Sequence, residues 1–281
     1  MKIAIAGLGL IGGSLALDLK KRGFASEIIG VDNNIRHCNI AVLTELVERT
    51  EILEKAVGES DMIILCTPVG AIESMLPFVL DRVKGTSKVV VDMGSTKSEI
   101  AESVKNHPAR ENYVAAHPMA GTEFSGPLAA ISKLFDYKHV IICDKERSGK
   151  EQLNRVLEMF KVLNMKVKYM NSKAHDLHVA YVSHISHITS FSLALSVLEK
   201  ERDEENILTL AAGGFESTVR LAKSNAETWA PIFIQNAEYI TQVLDTYLEK
   251  MNLFRDYIKA ADSENLCRLM EKANEIKKIL N

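Results

Sequence analysis

One short stretch of the sequence places a side chain able to transfer protons beside residues with almost no bulk. It reads HPMAGTE and covers residues 117 to 123. The preceding segment NYVAA is typical of a buried strand, so His117 stands where that strand ends. An imidazole titrates near neutral pH and can accept a proton from a substrate. We therefore treat His117 as a candidate catalytic residue, with a simple turn before Pro118 as the structural alternative.

A glycine-rich turn near the N-terminus predicts a dinucleotide site. Its glycines have the spacing G-x-G-x-x-G between an apolar strand pattern and a helical pattern. Such glycines allow a tight turn, a close approach of the pyrophosphate and close packing of helix on sheet. An acid ends the second predicted strand, where it can accept hydrogen bonds from ribose hydroxyls and repel a 2′-phosphate. NAD is therefore favoured over NADP, and a turn without a ligand is the alternative. The predicted contacts are Gly7, Gly9, Leu10, Ile11, Gly12 and Asp32.

Short apolar segments alternate with helical patterns through residues 1–171. Nearly continuous apolar strands separated by helices indicate a parallel sheet buried on both faces. We expect NIRHCNIAVLTELVERT to form one helix, and the helix AIESMLPFVLDRV to be interrupted near Pro77. The predicted strands are KIAIAG, EIIGVD, DMIILCTP, SKVVVDMG, NYVAAHP, KHVIICD and MKVKYM.

The second half of the chain shows helical periodicity and no convincing strand. We therefore predict an α/β protein with two domains, a Rossmann-type dinucleotide-binding domain over residues 1–171 and an all-α domain over residues 172–281. The segment IFIQNAEYITQVLDTYLEKMNLFRDYIKA is predicted as one long helix. Long helices with an apolar stripe often bury that stripe in a second subunit, so we expect a homodimer through the C-terminal helices.

Composition excludes several classes of function. Among 281 residues, 25% are charged and the formal net charge is −3, without the basic runs typical of nucleic-acid binding. No apolar run approaches the roughly 20 residues that span a bilayer, so no membrane partner is expected. Glycines inside the N-terminal apolar stretch argue against a signal peptide. The four cysteines form no CxxC pair, which favours free thiols and a cytoplasmic location.

Several motifs together resemble those of the prephenate dehydrogenase family. They are GLGLIGGS, CTPV, DMGSTK, HPMAGTE, SHISHI and RLAKSNAETW, and the resemblance extends from residue 1 to about residue 240. It implies an NAD-dependent oxidative decarboxylation of prephenate to 4-hydroxyphenylpyruvate, a step of tyrosine biosynthesis. It also implies a dimer. Since the sequence shows neither a mutase-like helical extension before residue 1 nor a regulatory domain after the helices, we expect a monofunctional chain. Arogenate dehydrogenases share the pattern, so the choice between the two substrates stays open.

The resemblance assigns roles to individual residues. His117 would accept the proton of the substrate's ring hydroxyl, and Ser95 would bond either His117 or that hydroxyl. Capping of the next helix is the structural alternative for Ser95. Arg220 can bind a substrate carboxylate through two parallel hydrogen bonds, and His187 would lie near a carboxylate. The other predicted contacts are Gly121, Thr122 and Glu123 with the substrate, and Thr67 and Pro68 with the cofactor.

Other interpretations of these residues are weaker. The stretch HDLHVAYVSHISH contains His175, His178, His184 and His187, and histidines three apart on a helix can bind metal. It lacks the Glu-x-x-His pairs of carboxylate metal sites, so we predict no metal. A β-hydroxyacid dehydrogenase would need a lysine where this chain has SHISH. A nucleotide-sensing module without catalysis would not need Ser95, His117, His187 and Arg220 together.

Overall fold

An eight-stranded sheet forms the centre of the N-terminal half in the computed structural model, which describes residues 1–204 and 207–279. In space the strands follow the order β3-β2-β1-β4-β5-β6-β7-β8, numbered along the chain. Neighbours are parallel except for the sixth and seventh strands, which are antiparallel. The strands are β1 Lys2–Ala6, β2 Glu27–Val31, β3 Arg49–Thr50, β4 Met62–Leu65, β5 Val89–Asp92, β6 Tyr113–Pro118, β7 His139–Cys143 and β8 Lys166–Met170.

Helices cover the sheet in the first half and replace it in the second. From Ser172 onward the described residues contain helices and no strand, as predicted. The helices are α1 Leu10–Lys21, α2 Ile35–Leu43, α3 Leu53–Glu59, α4 Val69–Val83, α5 Ser98–Ser103, α6 Lys150–Val162, α7 Ser172–Val179, α8 Ile185–Asp203, α9 Gly213–Val219, α10 Ala226–Gln235, α11 Ala237–Lys259 and α12 Ser263–Ala273.

The sheet is buried on both faces because its strands are apolar at successive positions. In β1, Ile3 and Ile5 join one hydrophobic cluster, which includes residues of α1 and α6. Ala4 and Ala6 join a second cluster, which includes residues of α3 and α4. Successive side chains of a strand point to opposite faces, so continuous apolar strands require cover on both sides. This prediction is confirmed, although the edge strand β8 is largely exposed.

Three details of the sequence prediction are wrong. The sheet is not wholly parallel, because an apolar strand pattern is the same in either direction. The segment predicted as one helix after Asn33 ends as α2 at Leu43, where Glu45 has a left-handed φ of 57°, and β3 follows. Pro77 lies inside an uninterrupted α4, because Ile72, Leu76 and Val79 on either side of it are buried in the core.

Among its described residues, the helical half contains a break and an irregularity that the periodicity did not predict. Asn236 separates α10 from α11, so the single long helix predicted there is two helices. A π-helical turn, Ala180–His184, joins α7 to α8. Packing divides the chain into one compact unit, Met1–Asn236, and another that begins at Ala237. The domain boundary after residue 171 remains a prediction. No helix among the described residues is long and apolar enough to cross a bilayer.

Candidate active site

The carboxyl ends of four neighbouring strands meet at one edge of the sheet. The strands β1, β4, β5 and β6 are mutually parallel, and Gly7, Thr67 and His117 lie at or just beyond three of those ends. Strand order reverses between β1 and β4, and ligands of open α/β sheets bind outside the strands at such a reversal. The glycine loop and His117 therefore lie at the same edge of the sheet.

The glycine loop is shaped to receive a dinucleotide. Gly7 has a φ of 95°, and a Cβ there would lie 2.6 Å from the carbonyl carbon of Cys66. A Cβ on Gly12 would lie 1.9 Å from the Gly7 carbonyl oxygen, so close packing requires glycine there too. By contrast, a Cβ on Gly9 would meet no atom of the described residues within 4 Å. This open position at the N-terminus of α1 leaves the backbone accessible to a pyrophosphate, as a dinucleotide site requires.

Asp32 follows β2 beside this loop and is held in place by backbone hydrogen bonds. Its carboxylate accepts a hydrogen bond from Leu8 N–H at 2.9 Å and another from Asn34 N–H at 2.8 Å. His37 Nδ1 lies 3.4 Å from the same carboxylate. A carboxylate has about four acceptor positions, so Asp32 can still accept hydrogen bonds from a ribose. The loop and the acid together fit the predicted dinucleotide.

A chain of hydrogen bonds extends from His117 into the helical part of the same compact unit. His117 Nδ1 lies 2.8 Å from His175 Nε2, and His175 Nδ1 lies 2.8 Å from Asp176 Oδ1. The Asp176 carboxylate also accepts hydrogen bonds from the backbone N–H groups of Lys97 and Ser98, at 2.8 and 2.7 Å. His117 Nε2 has no hydrogen-bond partner among the described residues, which leaves this nitrogen for a ligand.

Burial sets the charges along this chain. It lowers the pKa of His117 well below the ordinary value, and His175 and Lys97 lower it further. Burial also lowers the pKa of His175, against the opposing effect of Asp176. Burial raises the pKa of the Asp176 carboxyl, but hydrogen bonds from His175 and Ser98 more than offset this and hold that pKa below the ordinary value. Near neutral pH, both imidazoles are therefore neutral and the carboxylate is charged.

A second polar network supports the chain from within the sheet. The Lys97 ammonium forms a fully buried ion pair with Asp92 and donates a hydrogen bond to the Ala116 carbonyl at 2.9 Å. The Tyr113 hydroxyl donates to the same Asp92 carboxylate at 2.8 Å. These contacts join β5 to the residue directly before His117. They hold the end of β6 where the imidazole emerges.

The predicted anion-binding residues form a more exposed group. Arg220 Nη1 lies 3.1 Å from the Glu123 carboxylate, and the arginine side chain is 52% exposed. A hydrogen bond from its own backbone N–H and the nearby Arg220 guanidinium lower the pKa of Glu123. Ionised Glu123 is therefore paired with the Arg220 guanidinium, a cation that a substrate carboxylate could bind in its place. Gly121 and Thr122 are exposed in the same loop.

His187 and His184 flank an indole in the helical part of the site. The His187 ring stacks on Trp229 with ring centroids 3.4 Å apart, and its Nδ1 lies 3.0 Å from the Ser183 carbonyl oxygen. His184 meets the indole edge-on and accepts a hydrogen bond from the Asn236 amide at 3.0 Å. Burial lowers the pKa of His184 to about 4. Both histidines lie in or just after the π-helical turn, a feature common at functional sites.

Some predicted site residues have no distinctive contact. The Ser95 hydroxyl has no hydrogen-bond partner among the described residues, so its predicted bond to His117 or substrate stays a prediction. Its alternative role as a helix cap is wrong: α5 begins at Ser98, and Asp176 accepts the hydrogen bonds of the first N–H groups. Thr67 and Pro68 directly precede α4, while Leu10 and Ile11 begin α1.

Sequence reasoning gave no proton-transfer role to His175, Asp176 or Lys97. The sequence pattern names His175 only as a possible metal ligand. The available signal was a histidine next to an aspartate just inside a helix capped by Asn171. Within the described residues, no group of three or more His, Cys, Asp or Glu side chains is arranged to hold a metal ion.

Comparison with known proteins agrees with this geometry. Residues 15–169 match the family model described as "Prephenate dehydrogenase, nucleotide-binding domain". Residues 171–272 match the one described as "Prephenate dehydrogenase, dimerization domain". A prephenate dehydrogenase from Bacillus subtilis is 30% identical over 275 residues, which are 97% of this chain and 74% of that protein.

Solved structures share the whole fold. Prephenate dehydrogenase from Aquifex aeolicus, in complex with hydroxyphenyl propionate and NAD⁺, superposes with a TM-score of 0.88 at 25% identity. The alignment covers 100% of this chain and 98% of that one. Arogenate dehydrogenase from Synechocystis gives a TM-score of 0.75 at 26% identity, with both chains fully covered. From its two domain matches, its relatives and its fold, the chain belongs to the prephenate dehydrogenase family.

Proposed function

We propose that this protein is an NAD-dependent prephenate dehydrogenase that converts prephenate to 4-hydroxyphenylpyruvate and carbon dioxide. The observation that carries the proposal is the partnerless Nε2 of a neutral His117 at the sheet edge that also holds the nucleotide loop. Both the Bacillus subtilis and the Aquifex aeolicus relatives are prephenate dehydrogenases, and the structure of the latter is a complex with hydroxyphenyl propionate and NAD⁺. A nucleotide and a proton acceptor are what an alcohol oxidation at a ring carbon needs.

The chemistry that bound NAD would supply is acceptance of the hydride that leaves ring carbon C4 of prephenate. The glycine loop would hold the pyrophosphate, and Asp32 would accept hydrogen bonds from the adenosine ribose. The Asp32 carboxylate lies where a 2′-phosphate would add negative charge, which supports NAD over NADP.

His117 manages one proton during the reaction. As the C4 carbon is oxidised, Nε2 takes the hydroxyl proton and the oxygen becomes a carbonyl. The bond from C1 to its carboxylate then breaks, carbon dioxide leaves, and the electron pair enters the ring to make it aromatic. The phenolate oxygen can recover the proton from His117, so the histidine ends neutral. A positioned base of this kind commonly accelerates a reaction by ~10²–10⁴-fold.

Arg220 and His187 would bind the two acidic ends of the substrate. A guanidinium matches a carboxylate with two parallel hydrogen bonds, and a substrate carboxylate could replace Glu123 on Arg220. His187 is fixed by its stacking on Trp229 and would contact the pyruvyl side chain. These roles, and those of Ser95, Gly121 and Thr122, belong to the proposal.

We also propose that the active form is a homodimer through the C-terminal helices. The helical segment matches a family model named for dimerization, and α8 and α11 carry large exposed apolar side chains. Light scattering on the purified protein tests this directly, and a monomer at micromolar concentration would contradict it. The exposed residues include Leu195, Leu198, Leu248, Met251 and Ile258.

Arogenate dehydrogenase is the second candidate function. Arogenate carries an ammonium where prephenate has a keto group, and the carboxylate of Glu123 lies at the exposed end of the site. The Synechocystis neighbour is an arogenate dehydrogenase of full-length similarity. This candidate has the same fold, cofactor and base, and differs only in the substrate's side chain.

A parallel assay separates the two candidates. NADH formation would be followed with prephenate and with arogenate, each with NAD and with NADP. We expect turnover with prephenate and NAD. Turnover with arogenate alone would move the assignment to the second candidate, and no turnover with either substrate, despite measurable NAD binding, would contradict both.

A further inference from the structure

We propose that His175 and Asp176 are positioning residues that fix the tautomer of His117, so that Nε2 is the unprotonated nitrogen whenever the imidazole is neutral. The inference rests on the proposed function for its catalytic meaning. The geometry behind it, a continuous chain from His117 through His175 to Asp176, is independent of that function.

Asp176, at the buried end of the hydrogen-bonded chain, determines which group donates and which accepts in each hydrogen bond. Asp176 is ionised and can only accept hydrogen bonds, and two backbone N–H groups already donate to its two oxygens. The group 2.8 Å from Oδ1, His175 Nδ1, must therefore carry a proton and donate it. A neutral His175 has only one ring proton, so its Nε2 is bare.

The same reasoning applies to His117, the next residue of the hydrogen-bonded chain. His117 Nδ1 lies 2.8 Å from the bare His175 Nε2, and two bare nitrogens at this distance would repel. His117 Nδ1 must then be the protonated nitrogen, which leaves Nε2 with its lone pair. An unsupported imidazole would exchange between two tautomers, and one of them could not take the substrate's proton. The chain removes that inactive form.

Burial and neighbouring hydrogen bonds hold the residues of this hydrogen-bonded chain in place. Among the described residues, His175 is completely buried and Asp176 is 1% exposed. The Asn236 amide donates to the Asp176 backbone carbonyl at 2.8 Å, which anchors the residue from a second side. Lys97 before α5 and His184 in the π-helical turn disfavour a charged His117, and Asp92 of β5 is paired with Lys97. When His117 does take a proton, the negative charge that can favour it through the chain is that of Asp176.

The first test is spectroscopic and needs no turnover. Ring-nitrogen ¹⁵N chemical shifts distinguish protonated from bare imidazole nitrogens, and a His117→Asn variant identifies the signals. We expect His117 in the wild-type protein, without substrate, to show a protonated Nδ1 and a bare Nε2. A protonated Nε2, or an even mixture of tautomers, would overturn the proposal whether or not prephenate is the substrate.

The second test replaces the carboxylate. In Asp176→Asn the amide can donate to His175 Nδ1 and reverse the chain, so His117 would carry its proton on Nε2. We expect kcat to fall by about 10²–10³-fold with KM and NAD affinity nearly unchanged, and the ¹⁵N pattern to invert. Asp18→Asn is the matched control, since Asp18 is another fully buried carboxylate that accepts backbone hydrogen bonds. Full activity in a folded Asp176→Asn variant would contradict the proposal.

The third test addresses His175 and does not depend on that variant folding. Glutamine keeps one donor for Asp176 and one acceptor for His117, whereas leucine keeps neither. We expect His175→Gln to retain activity within about tenfold of wild type, and His175→Leu to lose about 10²–10³-fold in kcat. Equal losses in both variants would mean that His175 serves only packing. Failure of the wild type on prephenate and arogenate would contradict the proposed function alone, because the ¹⁵N result still decides the tautomer.

Discussion

The buried and the exposed parts of the candidate site differ in how their polar groups are paired. Around His117, each described polar group of His175, Asp176 and Lys97 has a fixed partner away from water. At the other part, Arg220 is half exposed and holds a single acid, Glu123. Fixed partners specify one protonation state, whereas an exposed ion pair can exchange its acid for a substrate carboxylate. Substitutions in the buried part should therefore change rate and stability, and those in the exposed part should change affinity.

The largest expected effect is that of His117→Asn on turnover. The variant removes the base, so kcat should fall by about 10²–10⁴-fold while NAD affinity stays close to wild type. Steady-state NADH formation and NAD titration measure the two quantities. His178→Asn is the matched control, because His178 is an exposed histidine of α7. Activity that survives in His117→Asn would contradict the assignment of the base.

Stability should respond strongly to the buried ion pair under the site. Lys97→Met leaves the Asp92 carboxylate buried without its cation, and breaking such a pair costs about 3–5 kcal/mol of unfolding free energy. Urea denaturation measures the change. Lys105→Met, which breaks the exposed pair with Glu102, should cost under about 1 kcal/mol. Similar losses for both variants would remove the distinction between buried and exposed charges.

Acid should destabilise the protein through its buried histidines. Burial lowers the pKa of His184 from the ordinary 6.5 to about 4, and it likewise lowers the pKa of His117 and His175. As pH falls from 6.5 towards 4, the unfolded chain binds protons that the folded protein does not, so the unfolding free energy falls. His184 alone should account for about 3 kcal/mol of that fall.

Urea denaturation across this pH range checks the sign and the size. A His184→Gln variant removes one of the titrating groups, so its unfolding free energy should depend less on pH than that of the wild type. Identical dependence in the two proteins would show that His184 is not held neutral by burial.

The smallest expected effect lies at the exposed part of the site. Arg220→Gln removes a cation that would bind a substrate carboxylate, and a hydrogen bond to a charged group contributes about 1.5–3 kcal/mol. KM for prephenate should therefore rise by about 10–100-fold, with a smaller change in kcat. Arg268→Gln, which alters another exposed arginine, should leave both constants unchanged. A loss confined to kcat would place Arg220 in the chemical step.

The sequence predicted those parts of the site that local pattern determines. The glycine loop, Asp32 and His117 each follow an apolar strand, and parallel strands end at one edge, so their convergence could be predicted. The family resemblance also led to Arg220 and His187, which no local pattern would have connected to the strands.

The remaining parts depend on contacts that are distant in sequence. His117 and His175 are 58 residues apart, and Lys97 and Asp176 are 79 apart, so no periodicity links them. The antiparallel β7 has the same apolar pattern as a parallel strand. The π-helical turn adds a local irregularity that helical periodicity does not predict, although it determines where His184 and His187 lie.

The most direct test of the proposed reaction is its product stoichiometry. Wild-type protein would be incubated with NAD and prephenate, and NADH, carbon dioxide and 4-hydroxyphenylpyruvate would be quantified together. Oxidation with loss of the ring carboxylate predicts the three products in equal amounts. NADH without carbon dioxide, or no product although NAD binds, would contradict an oxidative decarboxylation at this site.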